Sequence, residues 1–136
     1  MREILCTLLI FVLVNPVIAV AGEPRSVELC ELVQHAATYQ HQTVRVRGRI
    51  VSDCYHGSVL VDRYNRCSNG PALYVPQGVN DEAMAAVCVL SPTSIPWKNK
   101  VTATVTGTFE LMPHEIPTWT LEATAMTDVV IKRPER

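Results

Sequence analysis

Three arginines at alternate positions are the first residues whose spacing could do chemistry. In Thr43-Val44-Arg45-Val46-Arg47-Gly48-Arg49-Ile50-Val51, apolar residues and Gly48 alternate with Arg45, Arg47 and Arg49. A strand has a side-chain period of two, so this spacing sets all three guanidiniums on one face. Guanidinium pairs with planar oxyanions, which makes phosphate, sulfate or carboxylate the groups such a face would meet. Downstream, Tyr55, His56, Tyr64, Arg66 and Tyr74 mix aromatic rings with cations. Rings and cations together can stack on bases or on sugar rings. With a formal net charge of -1 for the chain, the simpler reading of the arginines is a solvated strand face. Their guanidiniums would then pair with Asp or Glu on neighbouring strands.

Signals for catalysis are sparse. Asp53 and Asp62 fall near one turn, which would suit paired carboxylates in a small hydrolase of envelope polymers. His35, His41, His56 and His114 are scattered with no nucleophile beside them. Trp97 and Trp119 adjoin proline-bearing loops, where they would line a groove or pack as lids. There is no G-x-S-x-G, no S-x-x-K and no glycine-rich phosphate loop. A metal site from Cys54-x-His56 with Cys67 would need reduced thiolates, and no C-x-x-C or H-x-x-x-H spacing supports it. The reading is therefore a non-enzymatic protein with no cofactor and no metal.

Length and charge narrow the partners. A chain of 136 residues holds one domain. Twelve Lys and Arg against 13 Asp and Glu argue against a nucleic-acid backbone as the main partner, since such domains are usually basic. Met1-Arg2-Glu3 precedes a run from Ile4 to Val14 that is apolar but for Thr7, and Ala19-Val20-Ala21 follows. This is the pattern of a secretory signal, with cleavage predicted after Ala21. The apolar run is too short to span a bilayer, which needs roughly 20 residues. Residues 1–21 are thus read as a signal peptide and 22–136 as the domain, periplasmic or secreted, with no membrane span after cleavage. Single-stranded nucleic-acid binding stays an alternative that charge and export oppose.

The elements that position these residues follow from period and punctuation. Ser26 would cap a helix over Val27 to Ala37, whose Val27, Leu29, Cys30, Leu32, Val33, Ala36 and Ala37 form a stripe near helical period. Thr43 to Val51 is a half-buried strand, bent at Gly48. A turn at His56-Gly57 returns the chain along Ser58 to Asp62, and Ala72 to Val75 is a third strand stopped by Pro76. Asn80 would cap a short helix over Asp81 to Val89. Lys100 to Phe109 alternates Val101, Ala103, Val105 and Gly107 with four threonines. Trp119 to Ile131 is the last strand, irregular near Ala125. A mainly β chain with short helices results: one helix before strand 1, another between strands 3 and 4. Five strands in that order describe an OB-fold-like small barrel, which binds ligands on its strand-2/3 face and adjoining loops.

Four cysteines remain after cleavage: Cys30, Cys54, Cys67 and Cys88. An even number in an exported chain is a disulfide framework, with three possible connectivities. If the hairpin turns at Gly57, Cys54 faces Leu60, and Cys67 lies about seven residues further on, roughly 23 Å at strand rise. Disulfide Cα atoms lie within about 7 Å, so Cys54–Cys67 requires the intervening loop to double back.

Val27-Glu28-Leu29-Cys30-Glu31-Leu32, Tyr39, the Val44–Val51 strand, Leu60-Val61-Asp62 and Cys67 together resemble a group of small exported bacterial proteins predicted to be OB-folds. The resemblance covers about half of the chain after cleavage and implies fold and export, not activity. It matches Cys30 and Cys67 together, which implies that bond and leaves Cys54–Cys88. The function expected is binding of a small ligand, a glycan or a protein partner in the envelope. Mass spectrometry of the exported protein is expected to find Gly22 as its first residue; a retained leader would contradict the signal reading.

Overall fold

A computed structural model describes residues 22–52, 55–62, 64, 66–67, 70–88, 99–112, 114 and 119–133. The predicted signal segment lies outside these residues. Six strands and three short helices follow in the order β1 Arg25–Ser26, α1 Leu29–Gln34, α2 Ala36–Tyr39, β2 Thr43–Ser52, β3 Ser58–Val61, β4 Ala72–Tyr74, α3 Asp81–Val87, β5 Lys100–Leu111 and β6 Trp119–Lys132.

The sheet closes on itself. Its order is β1-β2-β3-β4-β6-β5, and β2 also pairs with β5. The five strands β2 to β6 thereby form a barrel, with β1 as a two-residue addition beside β2. All ladders within the ring are antiparallel except β4 with β6. This is the small OB-fold-like barrel expected from the order of elements, with a helix ahead of the first long strand and another after the third strand of the ring.

Alternation along each strand fills the interior. Val44, Val46 and Ile50 from β2 meet Val101, Ala103, Val105 and Phe109 from β5, with Leu60, Leu73, Leu121 and Met126 from the others. Leu29, Leu32 and Tyr39 from α1 and α2, and Ala83, Ala86 and Val87 from α3, join the same core. Asn80 caps α3 as expected, its Oδ1 accepting from the Ala83 amide at 2.9 Å.

Two glycines within the long strands sit where neighbouring chain comes too close for a side chain. A Cβ on Gly48 would lie 2.9 Å from the Leu60 side chain and from the Val61 carbonyl oxygen. At Gly107 it would lie 2.3 Å from the Glu122 carbonyl oxygen. Gly107 borders the first of two irregularities in the β5–β6 ladder: Thr106 faces Ala125 and Gly107 faces Ala123, so Thr124 is the extra residue of a bulge. This agrees with the irregularity expected near Ala125. The second lies between Thr102, facing Val130, and Thr104, facing Thr127, and includes Asp128 at φ 50°.

Three expectations need correction. The helix does not run unbroken from Ser26. Arg25–Ser26 instead pairs in parallel with β2, and the Val27 amide donates to the Arg45 carbonyl at 2.9 Å. The exposed edge of β2 offers backbone partners there, and they outweigh helix propensity. Glu28 takes the N-cap position without a side-chain cap, and the helix breaks at His35. The hairpin register also differs: Leu60 faces Ile50, not Cys54, and Ser52 faces Ser58, which centres the turn on Tyr55. Ser52 Oγ fastens this turn by donating to the Gly57 carbonyl at 2.7 Å. Finally, Cys30 and Cys67 are bonded with Cα atoms 5.4 Å apart, as the resemblance implied, but Cys88 carries a free thiol. That thiol lies 3.8 Å from Ser52 Oγ; Cys54, its expected partner, lies outside the described residues.

Gly107→Ala is expected to lower the unfolding free energy by about 2 kcal/mol or more, read as a lower urea midpoint, because the clash is with backbone rather than with a flexible side chain. Gly22→Ala, which meets nothing within 4 Å, serves as the control and should leave the midpoint unchanged.

Candidate functional site

The residues singled out from sequence separate into three places on the barrel. The first is the β2–β3 turn with β4. Val59 on β3 faces Ala72 on β4, and Tyr74 follows on the same face, opposite Glu122 of β6. Alternation drives Leu60 and Leu73 inward and leaves Val59 and Tyr74 outside. Tyr55 and His56 occupy the turn beside them, and both are exposed. Tyr55 is 78% exposed, Tyr74 63% and Val59 37%. Val59 was not singled out from the sequence, although the period of two in Ser58-Val59-Leu60-Val61 pointed to it.

Asp62 organises the second place, at the end of β3 away from the turn. Its carboxylate is buried and accepts from the Tyr64 amide at 3.2 Å, the Arg66 amide at 2.9 Å and Arg66 Nε at 3.2 Å. The Arg66 amide, then the Arg66 side chain, hold its pKa below the usual carboxylate range. Arg66 in turn lies 5.2 Å from the centre of the Tyr64 ring. Cys30, Asp62 and Cys67 converge within 4.8 Å, but the two sulfurs are bonded to one another, which leaves no thiolate for a metal. Asp62 therefore anchors a turn next to the disulfide. A carboxylate held ionised by three donors is poorly suited to act as a general acid. Asp53, its expected catalytic partner, lies outside the described residues, as does Trp97. Trp119 is half-buried and packs against the core.

Arg45 and Arg47 make the third place. They share the outer face of β2 with Arg49, opposite Thr106, Thr104 and Thr102 of β5. Arg45 approaches Glu23 at 3.4 Å, an exposed pair worth roughly 0–1 kcal/mol. Arg47 donates to Thr104 Oγ1 at 3.1 Å and to the Asp128 carbonyl at 3.4 Å, which buries a threonine that alternation alone would expose. Arg49 Nε is buried with no hydrogen-bond partner. The acid that Arg45 meets, Glu23, precedes β1, so this contact is not the pairing across neighbouring strands that was expected.

Over this face lies a groove of about 360 Å³, lined by Ser26, Val27, Glu28, Glu31, Arg45, Arg47, Thr104 and Asp128. Glu31 is engaged there: Tyr39 Oη donates to it, and Arg25 approaches it at 3.6 Å while lying 5.6 Å from the centre of the Tyr39 ring. The hydrogen bond to Glu31, with burial, raises the Tyr39 pKa. Sequence reasoning missed Glu28, Thr104 and Asp128 as neighbours of the arginines. Asp128 reaches the groove only through the second irregularity of β6, whose position no local pattern marks.

Tyr55 and His56 thus lie in the β2–β3 turn and Tyr74 on β4, Tyr64 and Arg66 are together at the other end of β3, and Arg45 and Arg47 line a separate groove. No family model, no curated protein and no solved structure matches the chain. Among the described residues, no helix is long and apolar enough to cross a membrane.

Because the native pKa of Asp62 is lowered, its contribution to stability is complete above the unfolded aspartate range and is lost as pH falls through the native value. Stability measured against pH should therefore rise with pH across that acidic window. Asp62→Asn should flatten the rise and lower stability at neutral pH; an unchanged acid limb would show that the carboxylate is not held as described.

Proposed function

We propose that this chain is an exported binding domain, without catalysis, that takes a ring-bearing ligand on the side of the barrel formed by the β2–β3 turn, β3 and β4. A glycan of the cell envelope is the foremost candidate. One observation carries this reading. Of the five large apolar side chains exposed among the described residues, Tyr55, Val59 and Tyr74 lie on this side, with Tyr64 at the far end of β3 and Val130 apart. Exposed aromatic rings leave apolar faces in water, and a sugar ring or a planar group covers them favourably. The face is that used for ligands by barrels of this topology, which is a likeness of architecture alone.

Export to the periplasm or beyond is supported by the leader pattern at residues 1–21 and by the Cys30–Cys67 bond, since disulfides persist outside the reducing cytoplasm. Nucleic acid is the less favoured ligand, because the chain carries a net charge of -1 and domains that bind a phosphate backbone are usually basic. The hydrolase alternative loses its best acid, because Asp62 serves its own turn.

A glycan array followed by calorimetry on the best ligand checks this. Tyr74→Ala should weaken binding about tenfold or more while the melting temperature stays unchanged, a cost typical of a lost stacking ring. Affinity should change little with salt. Binding that falls steeply with salt and disappears in Arg45→Ala/Arg47→Ala would point instead to a polyanion and overturn the proposal.

A further inference from the structure

The groove over β2 is chemically unlike the tyrosine face, and its geometry points to a second binding site, one for a small zwitterion of amino-acid or dipeptide size. Its floor is cationic, formed by Arg45 and Arg47 over Thr104. Its walls are acidic. The segment that crosses one edge of β2 supplies Glu28 and Glu31, and β6, beyond β5 on the other side, supplies Asp128. Arg25 pairs with Glu31, which leaves Arg45 and Arg47 beside Glu28 and Asp128, two charges of each sign that favour neither a simple cation nor a simple anion. A molecule with both charges a few ångströms apart satisfies floor and walls together. A carboxylate would lie on the arginines, whose forked donors suit it, and an ammonium would face Glu28 and Asp128.

The engaged groups leave room for this. Arg47 commits one terminal nitrogen, Nη1, to Thr104 and the Asp128 carbonyl, whereas a guanidinium has five N–H donors. Glu31 is occupied by Tyr39 and Arg25, and Asp128 Oδ2 accepts from Thr127 Oγ1 at 3.4 Å, which leaves its other oxygen; Glu28 makes no capping bond to its own helix, although its charge also bears on Arg66. Asp128 sits at φ 50°, a left-handed backbone that costs free energy for a residue other than glycine and that brings Asp128 to the groove. The volume of about 360 Å³ lies within the range of small-molecule sites.

The test is an amide chemical-shift titration of the isotope-labelled protein with alanyl-alanine, N-acetyl-alanyl-alanine and alanyl-alanine amide. Alanyl-alanine should shift the amides of Ser26, Thr104 and Asp128 saturably. Each blocked form, lacking one charge, should bind roughly tenfold more weakly or worse. Glu28→Gln, at an exposed position, should weaken alanyl-alanine without disturbing the fold, and Arg47→Gln should abolish it. No saturable shift, or equal binding of the blocked forms, would overturn the site. Shifts confined to Val59, Ala72 and Tyr74 would overturn it too, while leaving the proposed ligand face intact.

Discussion

Closure of the ring through β2 and β5 is the constraint on which the rest depends. β2 is bonded along one edge to β5 from Thr43 to Ile50, and along the other to β1 near its start and β3 near its end. One strand thus has both edges used, but by different neighbours in its two halves. It has to bend between them, and Gly48 is the residue that lets Leu60 approach at the bend. Once β2 is held this way, its inward positions are committed to Val44, Val46 and Ile50, and its outward positions to the arginines. The interior is filled with side chains, so any ligand has to be met on the outside of the barrel or at its loops.

The same closure explains why short elements are held firmly. α1 has six residues and α2 four, too short to be stable alone. They stand because Leu29, Leu32 and Tyr39 enter the core, and because Cys30 ties α1 to Cys67 beyond β3. Asp62 fixes the turn that carries Cys67 toward that bond. At the other end of α2, the His41 amide donates to the Phe109 carbonyl and the Phe109 amide to that of Gln42, while the His41 ring meets Glu110 at 2.8 Å. The segment from Leu29 to Gln42 is therefore fastened at both ends before β2 begins.

Elements with strong period were legible in the sequence. β2 and β5 announce themselves by alternation, and the Asn80 cap marks the start of α3. The entry to the first helix was not legible, because the edge of β2 that recruits Arg25–Ser26 exists only in the folded sheet. The hairpin register failed for a related reason. Glycine at position 57 signalled the turn, but the ladder that aligns Val51 with Val59 decides where the turn is centred. Which residues share a strand face could be read; which faces share a site could not. Arg45 and Tyr74 lie close in sequence order of strands yet belong to different surfaces, and Asp128 joins Arg47 only across two intervening ladders.

This partition bears on how so small a domain can offer two chemistries. The tyrosine side is apolar and aromatic, on strands β3 and β4, which are only four and three residues long. The groove side is charged on both floor and walls, over the long strands β2, β5 and β6. Short strands leave loops near the exposed face, which favours contact with an extended surface. Long strands with an irregularity leave a concavity, which favours a small molecule. The chain as a whole is close to neutral, with 12 Lys and Arg against 13 Asp and Glu, so neither surface works against a large field from the other. The two surfaces can therefore be judged independently, because no charge or ring that serves one is used by the other.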